Sequence, residues 1–316
     1  MNDKNFLANM SMLAVKKIAQ MTGHRAAVFA LAPEVPAARV LLSGAGDGWI
    51  VRWRLDEPDL GQLMAKVDTQ IFSLLLLPTQ AQLVAGTMQG GLHWIPLDKP
   101  ERTKNIAHHR KGVFGMLHQG DYVYTIGGEG RLTRWSALEG RSLESCYLSN
   151  QSLRCLHFCP QRNEIAIGAS DNAIYLLDAE SLHHTRTIPQ AHANSVFAVH
   201  YSPDGRWLLS GGRDAHLRIW DTTADFQEVM AQPAHWFTIN DIAFSPCGRW
   251  FATASRDKTI KIWNAADATL LKVLEGARDG GHFNSVNRLL WSEHLISASD
   301  DRTLIAWAVE NEEAHN

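Results

Sequence analysis

Between residues 192 and 221 the chain reads HANSVFAVHYSPDGRWLLSGGRDAHLRIWD, where apolar and polar positions alternate in three short runs, 195–201, 207–210 and 217–220. Ser-Pro-Asp-Gly and Gly-Gly-Arg-Asp separate the runs, so the pattern predicts three antiparallel strands joined by tight turns. One such sheet cannot bury both of its faces. Stability therefore requires further copies packed against it.

Copies fill the chain. With Asp214 of the second turn as a marker, the matching positions are Asp47, Gln89, Glu129, Asp171, Asp257 and Asp301, spaced by 40 to 44 residues. Six residues after the seven markers stand Trp53, Ile95, Trp135, Leu177, Trp220, Trp263 and Trp307. A period of about 40–45 residues, with His near its start and Trp-Asp near its end, is the sign of four-stranded propeller blades. On these residues, and most clearly on His192, Trp220 and Asp221, the chain resembles the WD-repeat β-propeller family. The expected fold is all-β: a single seven-bladed propeller of four-stranded antiparallel blades. The seventh unit stops near Val309 without a fourth strand, whereas 13–20 reads as a strand ahead of the first repeat. That N-terminal strand is expected to complete the last blade and close the ring, removing two free sheet edges. The propeller should span 10–309, with 1–9 and 310–316 as loose termini.

Composition narrows the function classes. Lys plus Arg number 30 against 33 Asp plus Glu, a net charge of -3, which gives no general electrostatic case for nucleic acid. Cys146, Cys155, Cys159 and Cys247 show no disulfide framework, and a reducing, cytoplasmic compartment suits them. Cys155, His157 and Cys159 alternate along one predicted strand, and a single strand face does not close a tetrahedral metal shell, so no metal or other cofactor is expected. The sequence has no run of 18 apolar residues, which argues against a membrane span. The 6–15 segment is a poor signal peptide, because Asn9 and Ser11 interrupt it and Lys16-Lys17 follow.

His, Ser or Thr, and an acid recur together: His24, Ser43, Asp47; His109, Thr125, Glu129; His192, Ser210, Asp214; His235, Thr253, Asp257; His282, Ser297, Asp301. Such a set invites a nucleophilic triad reading. Repetition argues against it, since an enzyme has no use for five equivalent triads in a ring. The resemblance implies instead a hydrogen-bonded chain from Trp through hydroxyl and His to the acid, which satisfies buried polar groups. Blade two replaces all four with Val67, Ala85, Gln89 and Ile95, and blade four keeps only Asp171, beside Ser149, Ile167 and Leu177. These two blades are expected to be the softest, with Asp171 finding other donors. The 108–111 and 183–184 basic and histidine runs are expected to be solvated connections.

Four residues after each His place stand Val28, Ile71, Val113, Leu153, Val196, Ile239 and Val286, the predicted buried row of the innermost strands. The next residues are Phe29, Phe72, Phe114, Arg154, Phe197, Asn240 and Asn287, which alternation turns to the other side. They serve either as filler between blades or as a socket at the channel mouth, and the resemblance favours the socket, because WD-repeat proteins commonly grip peptides there. The residues just before the turn acids are Gly46, Met88, Gly128, Ser170, Arg213, Arg256 and Asp300, which the resemblance places at the same entrance. Arg213 and Arg256 suit an acidic or phosphorylated segment. Trp236 and Phe237 should be exposed just after His235. The expected function is a non-catalytic scaffold that binds a peptide or protein on this face, acting as a monomer or within a hetero-complex. The alternative is a propeller enzyme or small-ligand binder using the central channel. That needs converging carboxylates or histidines on the inner strands, and the innermost row offers none.

Overall fold

In the computed structural model, which describes residues 13–34 and 39–311, strands follow one another from the centre of the molecule outwards and then begin again. Among the described residues they form seven four-stranded antiparallel sheets. Blade one contains Val28–Pro33, Val40–Ala45, Trp49–Arg54 and Gln62–Lys66, in that order. The first strand of each blade packs on the first strand of the next, and Val286–Trp291 of blade seven packs on Val28–Pro33 of blade one. The ring is closed.

Alternation explains which strands sit deep. Second strands such as Glu164–Ala169 and Trp250–Ser255 are buried throughout, whereas an outermost strand such as Ser142–Tyr147 is exposed at most positions. Polar side chains along that outer edge protect its unpaired backbone groups from other chains. The core lies between blades rather than inside them. Val28 and Trp53 of blade one pack with Met21, Ile296, Ala298 and Leu304 of blade seven. Ala198, Leu209 and Leu217 of blade five likewise pack with Ile242, Phe251 and Trp263 of blade six. Neither face of a blade can be buried without its neighbour.

The N-terminal strand closes the ring as the sequence implies. Leu13–Thr22 lies antiparallel to Thr303–Asn311, from Leu13 opposite Asn311 to Thr22 opposite Thr303, with a bulge between Lys17 and Ala19. The pairing runs longer than expected at both ends: the strand continues two residues beyond Gln20, and Glu310 and Asn311, expected in the loose tail, pair with Ala14 and Leu13. Those backbone groups are held by the ladder, so they do not belong to a free end. The 1–9 segment lies outside the described residues. In the long connection before the last blade, Gly276–Asp279 makes one helical turn, and the Lys17 ammonium donates to the Gly280 carbonyl at 2.7 Å.

One irregularity recurs in all seven blades. The register between the first and second strands slips after the first pair: Val28 faces Ala45 but Ala30 faces Gly44, and Ile239 faces Ser255 but Asp241 faces Ala254. The same slip follows Ile71, Val113, Leu153, Val196 and Val286. Each inner strand therefore carries one extra residue without a cross-strand partner, a β-bulge, and a bulge bends the strand and re-aims its side chain.

A backbone constraint sits in the turn after each marker. The residue that follows it has a left-handed conformation, from Gly48 at φ 75 to Arg302 at φ 72. At Gly130 a Cβ would stand 1.8 Å from the Ser149 carbonyl oxygen, so only glycine fits there.

Candidate functional site

The recurrent polar residues form the hydrogen-bonded chain that the resemblance implies. In blade five the Trp220 indole donates to Ser210 Oγ at 2.9 Å, Ser210 lies 2.8 Å from His192 Nε2, and His192 Nδ1 lies 3.0 Å from Asp214 Oδ1. One proton arrangement satisfies every group with a neutral ring: indole to hydroxyl, hydroxyl to Nε2, Nδ1–H to carboxylate. Blades one, six and seven repeat it with Trp53, Trp263 and Trp307. Blade three completes a fifth copy with Glu129 in the acid's place, 2.7 Å from His109 Nδ1. The five hydroxyls of Ser43, Thr125, Ser210, Thr253 and Ser297 belong to fully buried residues, so none meets a substrate from solvent.

These chains fix the loops at the channel entrance. In blades one, five, six and seven the acid of the turn also accepts the backbone N–H of the residue after the histidine: Arg25 to Asp47 at 2.8 Å, Ala193 to Asp214 at 2.9 Å, Trp236 to Asp257 at 3.0 Å and Phe283 to Asp301 at 3.2 Å. Burial, the largest single influence, raises the acids' pKa values, but the histidine and the backbone N–H bonds together, with the Thr303 hydroxyl at Asp301, outweigh it and hold Asp214 and Asp301 down to about 2. Asp257 is lowered in the same way. Burial lowers His24 and His235, against the pull of their carboxylates, which keeps the rings neutral. In blade four Asp171 finds substitutes: it accepts from the Ser149 hydroxyl, from Tyr175 Oη at 2.6 Å and from the Ala173 N–H at 3.2 Å.

Phe29, Phe72, Phe114, Arg154, Phe197, Asn240 and Asn287 are the seven bulge residues, all half-buried. They touch across blades. Phe29 meets Phe72 edge to face at 5.0 Å between centroids, and Phe72 meets Phe114 at 5.5 Å. The Arg154 guanidinium sits 4.6 Å from the Phe114 centroid and 5.3 Å from that of Phe197, with Nε donating to Ser170 Oγ at 2.7 Å. Five blades are thus joined in one aromatic arc with a cation in it. On the other side, the Asn240 amide donates to Ser285 Oγ at 3.0 Å and to the Val286 carbonyl at 2.8 Å. Asn287 donates to the Val28 carbonyl at 3.0 Å and to Asp300 at 2.7 Å. The rings pack on neighbouring blades, and their intermediate burial leaves part of each accessible.

Above the asparagine side the surface is apolar and basic. Trp236 is 87% exposed, Phe237 59% and Phe283 68%, although the backbone beneath Trp236 and Phe283 is clamped. Arg213 and Arg256 are exposed and, among the described residues, pair with no carboxylate. Asp300 is exposed and held by Asn287. Sequence reasoning missed Phe283, although the signal was present: it follows His282 as Trp236 follows His235. Met88, 52% exposed, extends apolar surface to the turn of blade two.

Two expectations away from this face need revision. His108 is not a solvated loop residue: it packs edge to face on Trp135 at 4.7 Å and bonds Thr133 Oγ1 at 2.8 Å, and burial lowers its pKa to about 4. Inside the channel, Asp241 and Arg288 stand on inner strands just after the bulge residues, with Arg288 Nη1 3.7 Å from Asp241 Oδ1. Charged groups do therefore occupy the inner strands, one position beyond the row considered from the sequence. Cys155, His157 and Cys159 do not converge: Cys155 points at the Val196 carbonyl, Cys159 at Gln161, and His157 stacks on His200 at 3.7 Å.

Comparison with known proteins agrees with this architecture. Residues 183–221 and 226–264, which take in the outermost strands of blades four and five and the first three strands of blades five and six, match the model of the WD domain, G-beta repeat. A stretch of 93 residues is 25% identical to "Eukaryotic translation initiation factor 3 subunit I" of the yeast Vanderwaltozyma polyspora, covering 29% of this chain and only 27% of that protein's length. The solved WD40 β-propeller domain of Doa1 superimposes with a TM-score of 0.81 at 17% identity, covering 94% of this chain and 97% of that one. Two stretches thus match the WD repeat directly, and the described residues as a whole have the fold of a seven-bladed β-propeller.

Proposed function

We propose that the protein is a non-catalytic scaffold that holds a peptide or protein partner on the channel-entrance face. WD40 propellers generally bind proteins or peptides. The observation that carries the reading is Trp236, a large aromatic side chain almost wholly in water on a backbone locked by Asp257. A rigid exposed indole costs little conformational entropy on binding, which is why Trp, Tyr and Arg dominate interface energetics. Phe237 and Phe283 enlarge the anchor, Arg213 and Arg256 favour an acidic or phosphorylated segment, and the arc from Phe29 to Phe197 extends the surface across the mouth. Asn240, Asn287 and Asp300 supply polar contacts at its rim. Nothing basic on a larger scale draws nucleic acid, given the net charge of -3. A hetero-complex is favoured by the relative that is named as one subunit of a larger factor. A cytoplasmic setting is in keeping with four free cysteines.

The test is selection from a defined library of acidic and phosphorylated peptides, followed by titration of the enriched sequences. Trp236→Ala and Arg256→Ala should each weaken them at least about tenfold, as interface anchors do, and Leu63→Ser on the outer edge should change nothing. Peptides that bind both entrance variants as tightly as the unaltered protein would move the surface elsewhere.

A further inference from the structure

Arginines that leave the surface of this protein take a carboxylate with them, with one exception. Arg52, Arg131, Arg134, Arg154, Arg186, Arg218 and Arg288 are half-buried. Six of them have a carboxylate oxygen within 3.8 Å, from Glu34 beside Arg52 to Asp241 beside Arg288. Arg154 has none at that range among the described residues. Its pKa follows: burial lowers it, whereas the Glu34 hydrogen bond raises that of Arg52.

Arg154 is nonetheless fixed. The bulge of blade four sets it between blades three and five, with the guanidinium carbon 4.6 Å from the Phe114 centroid and 5.3 Å from that of Phe197. Nε donates to Ser170 Oγ at 2.7 Å, and the Ser170 N–H is itself held by the Ser152 carbonyl at 2.8 Å. That occupies one of five donors. Nη1 and Nη2 have no acceptor among the described residues, and neither is sealed from solvent. With rings from both neighbouring blades against the guanidinium and Nε taken, the Nη1–Nη2 edge is the approach left open. Two parallel N–H donors on that edge match the two oxygens of a carboxylate. A side chain already held by two rings and a hydrogen bond loses little freedom when the anion arrives. Arg213 and Arg256 are exposed and have no such fixing, so their charge steers an acidic segment without seating it.

We propose that Arg154 seats one carboxylate of the bound segment on its Nη1–Nη2 edge, so that the aromatic arc selects an acid at its centre rather than a further apolar side chain. The carboxylate belongs either to an aspartate or glutamate side chain or to a chain terminus. As a peptide subsite it rests on the entrance-face reading; as an anion site it is tested with small probes and no partner.

The intact protein is titrated at constant ionic strength with propionate, N-acetylglutamate N-methylamide and N-acetylalanine, and with propionamide and N-acetylglutamine N-methylamide as uncharged controls, following the amide NMR signal of Ser170. The expected result is a saturable shift with the carboxylates and none with either amide. Tighter binding of the glutamate derivative identifies a side chain as the natural acid, and tighter binding of N-acetylalanine identifies a chain terminus. Arg154→Lys keeps the charge but not the planar edge, and should weaken binding about tenfold. Arg154→Gln should abolish it, and if that variant does not fold, the lysine variant and the amide probes still decide. No saturable shift by about 100 mM, where a millimolar site is full, overturns the proposal, as do equal shifts with the amides or equal affinity in Arg154→Lys. Trp236→Ala judges the peptide reading apart: peptides that ignore that substitution remove the entrance reading, while a carboxylate-specific shift at Ser170 leaves the anion site in place.

Discussion

Blades six and two put opposite chemistry into the same four places. Blade six runs a continuous hydrogen-bonded chain from Trp263 through Thr253 and His235 to Asp257. Blade two fills three of the places with Val67, Ala85 and Ile95, all buried, and leaves Gln89 in solvent. Both folds are the same, so the network is not what makes a blade. The difference shows that buried polarity comes as a complete set or not at all, since a half-made network leaves costly unpaired groups. Blade four confirms the rule from the other side: with its histidine and tryptophan gone, Asp171 is satisfied by Ser149 and Tyr175. Blade two keeps two blemishes, Gln80 Oε1 and the indole nitrogen of the buried Trp94, neither with a partner among the described residues.

Acid should break this comparison most strongly. Asp214 and Asp301 are held to about 2, below the unfolded value of about 3.9. Their stabilisation is complete above pH 4 and is lost as pH falls from about 4 to 2, in blades five to seven and not in blade two. An earlier loss precedes it: burial holds His108 and His200 near 4 and also lowers His157, so protonation favours the unfolded chain as pH falls from about 6.5 to 4. Denaturant midpoints at pH 8, 5 and 2.5 would show two steps, and His200→Phe should shrink the first. A flat profile would contradict both assignments.

Mutation sharpens the contrast next. Asp257→Ala strands the buried His235 and frees the Trp236 N–H, and should cost about 3 kcal/mol in chemical denaturation. Gln89→Ala at the matching place should stay within about 0.5 kcal/mol. Equal losses would erase the distinction between the blades. Amide exchange should run about tenfold faster in blade two than in blade six, equivalent to ~1.4 kcal/mol of local stability. The smallest difference belongs to the indoles: Trp263→Phe removes a made hydrogen bond and should cost about 1 kcal/mol more than Trp94→Phe, which removes an orphaned donor.

The fold was legible because one period carried it: seven markers, seven buried first positions and an unpaired last blade are all counted on the chain. The site was legible in part. Repeat position found the residues of the aromatic arc, and adjacency to His235 found Trp236. Strict alternation failed just beyond them, because the bulge adds one residue to every inner strand and turns Asp241 and Arg288 into the channel. A bulge adds one residue without a cross-strand partner, and counting strict alternation along a single strand assumes that no such residue is there. His108 was misread for a related reason, since a basic run looks solvated until Trp135 is seen to lie against it.

The pairing of Leu13–Thr22 with Thr303–Asn311 also sets the order of events during synthesis. The earliest described strand to leave the ribosome has its partner among the last, so it must wait while six blades form. Circularisation is therefore the final act of maturation, and a nascent polypeptide paused before Thr303 presents an unclasped horseshoe to whatever chaperone attends it.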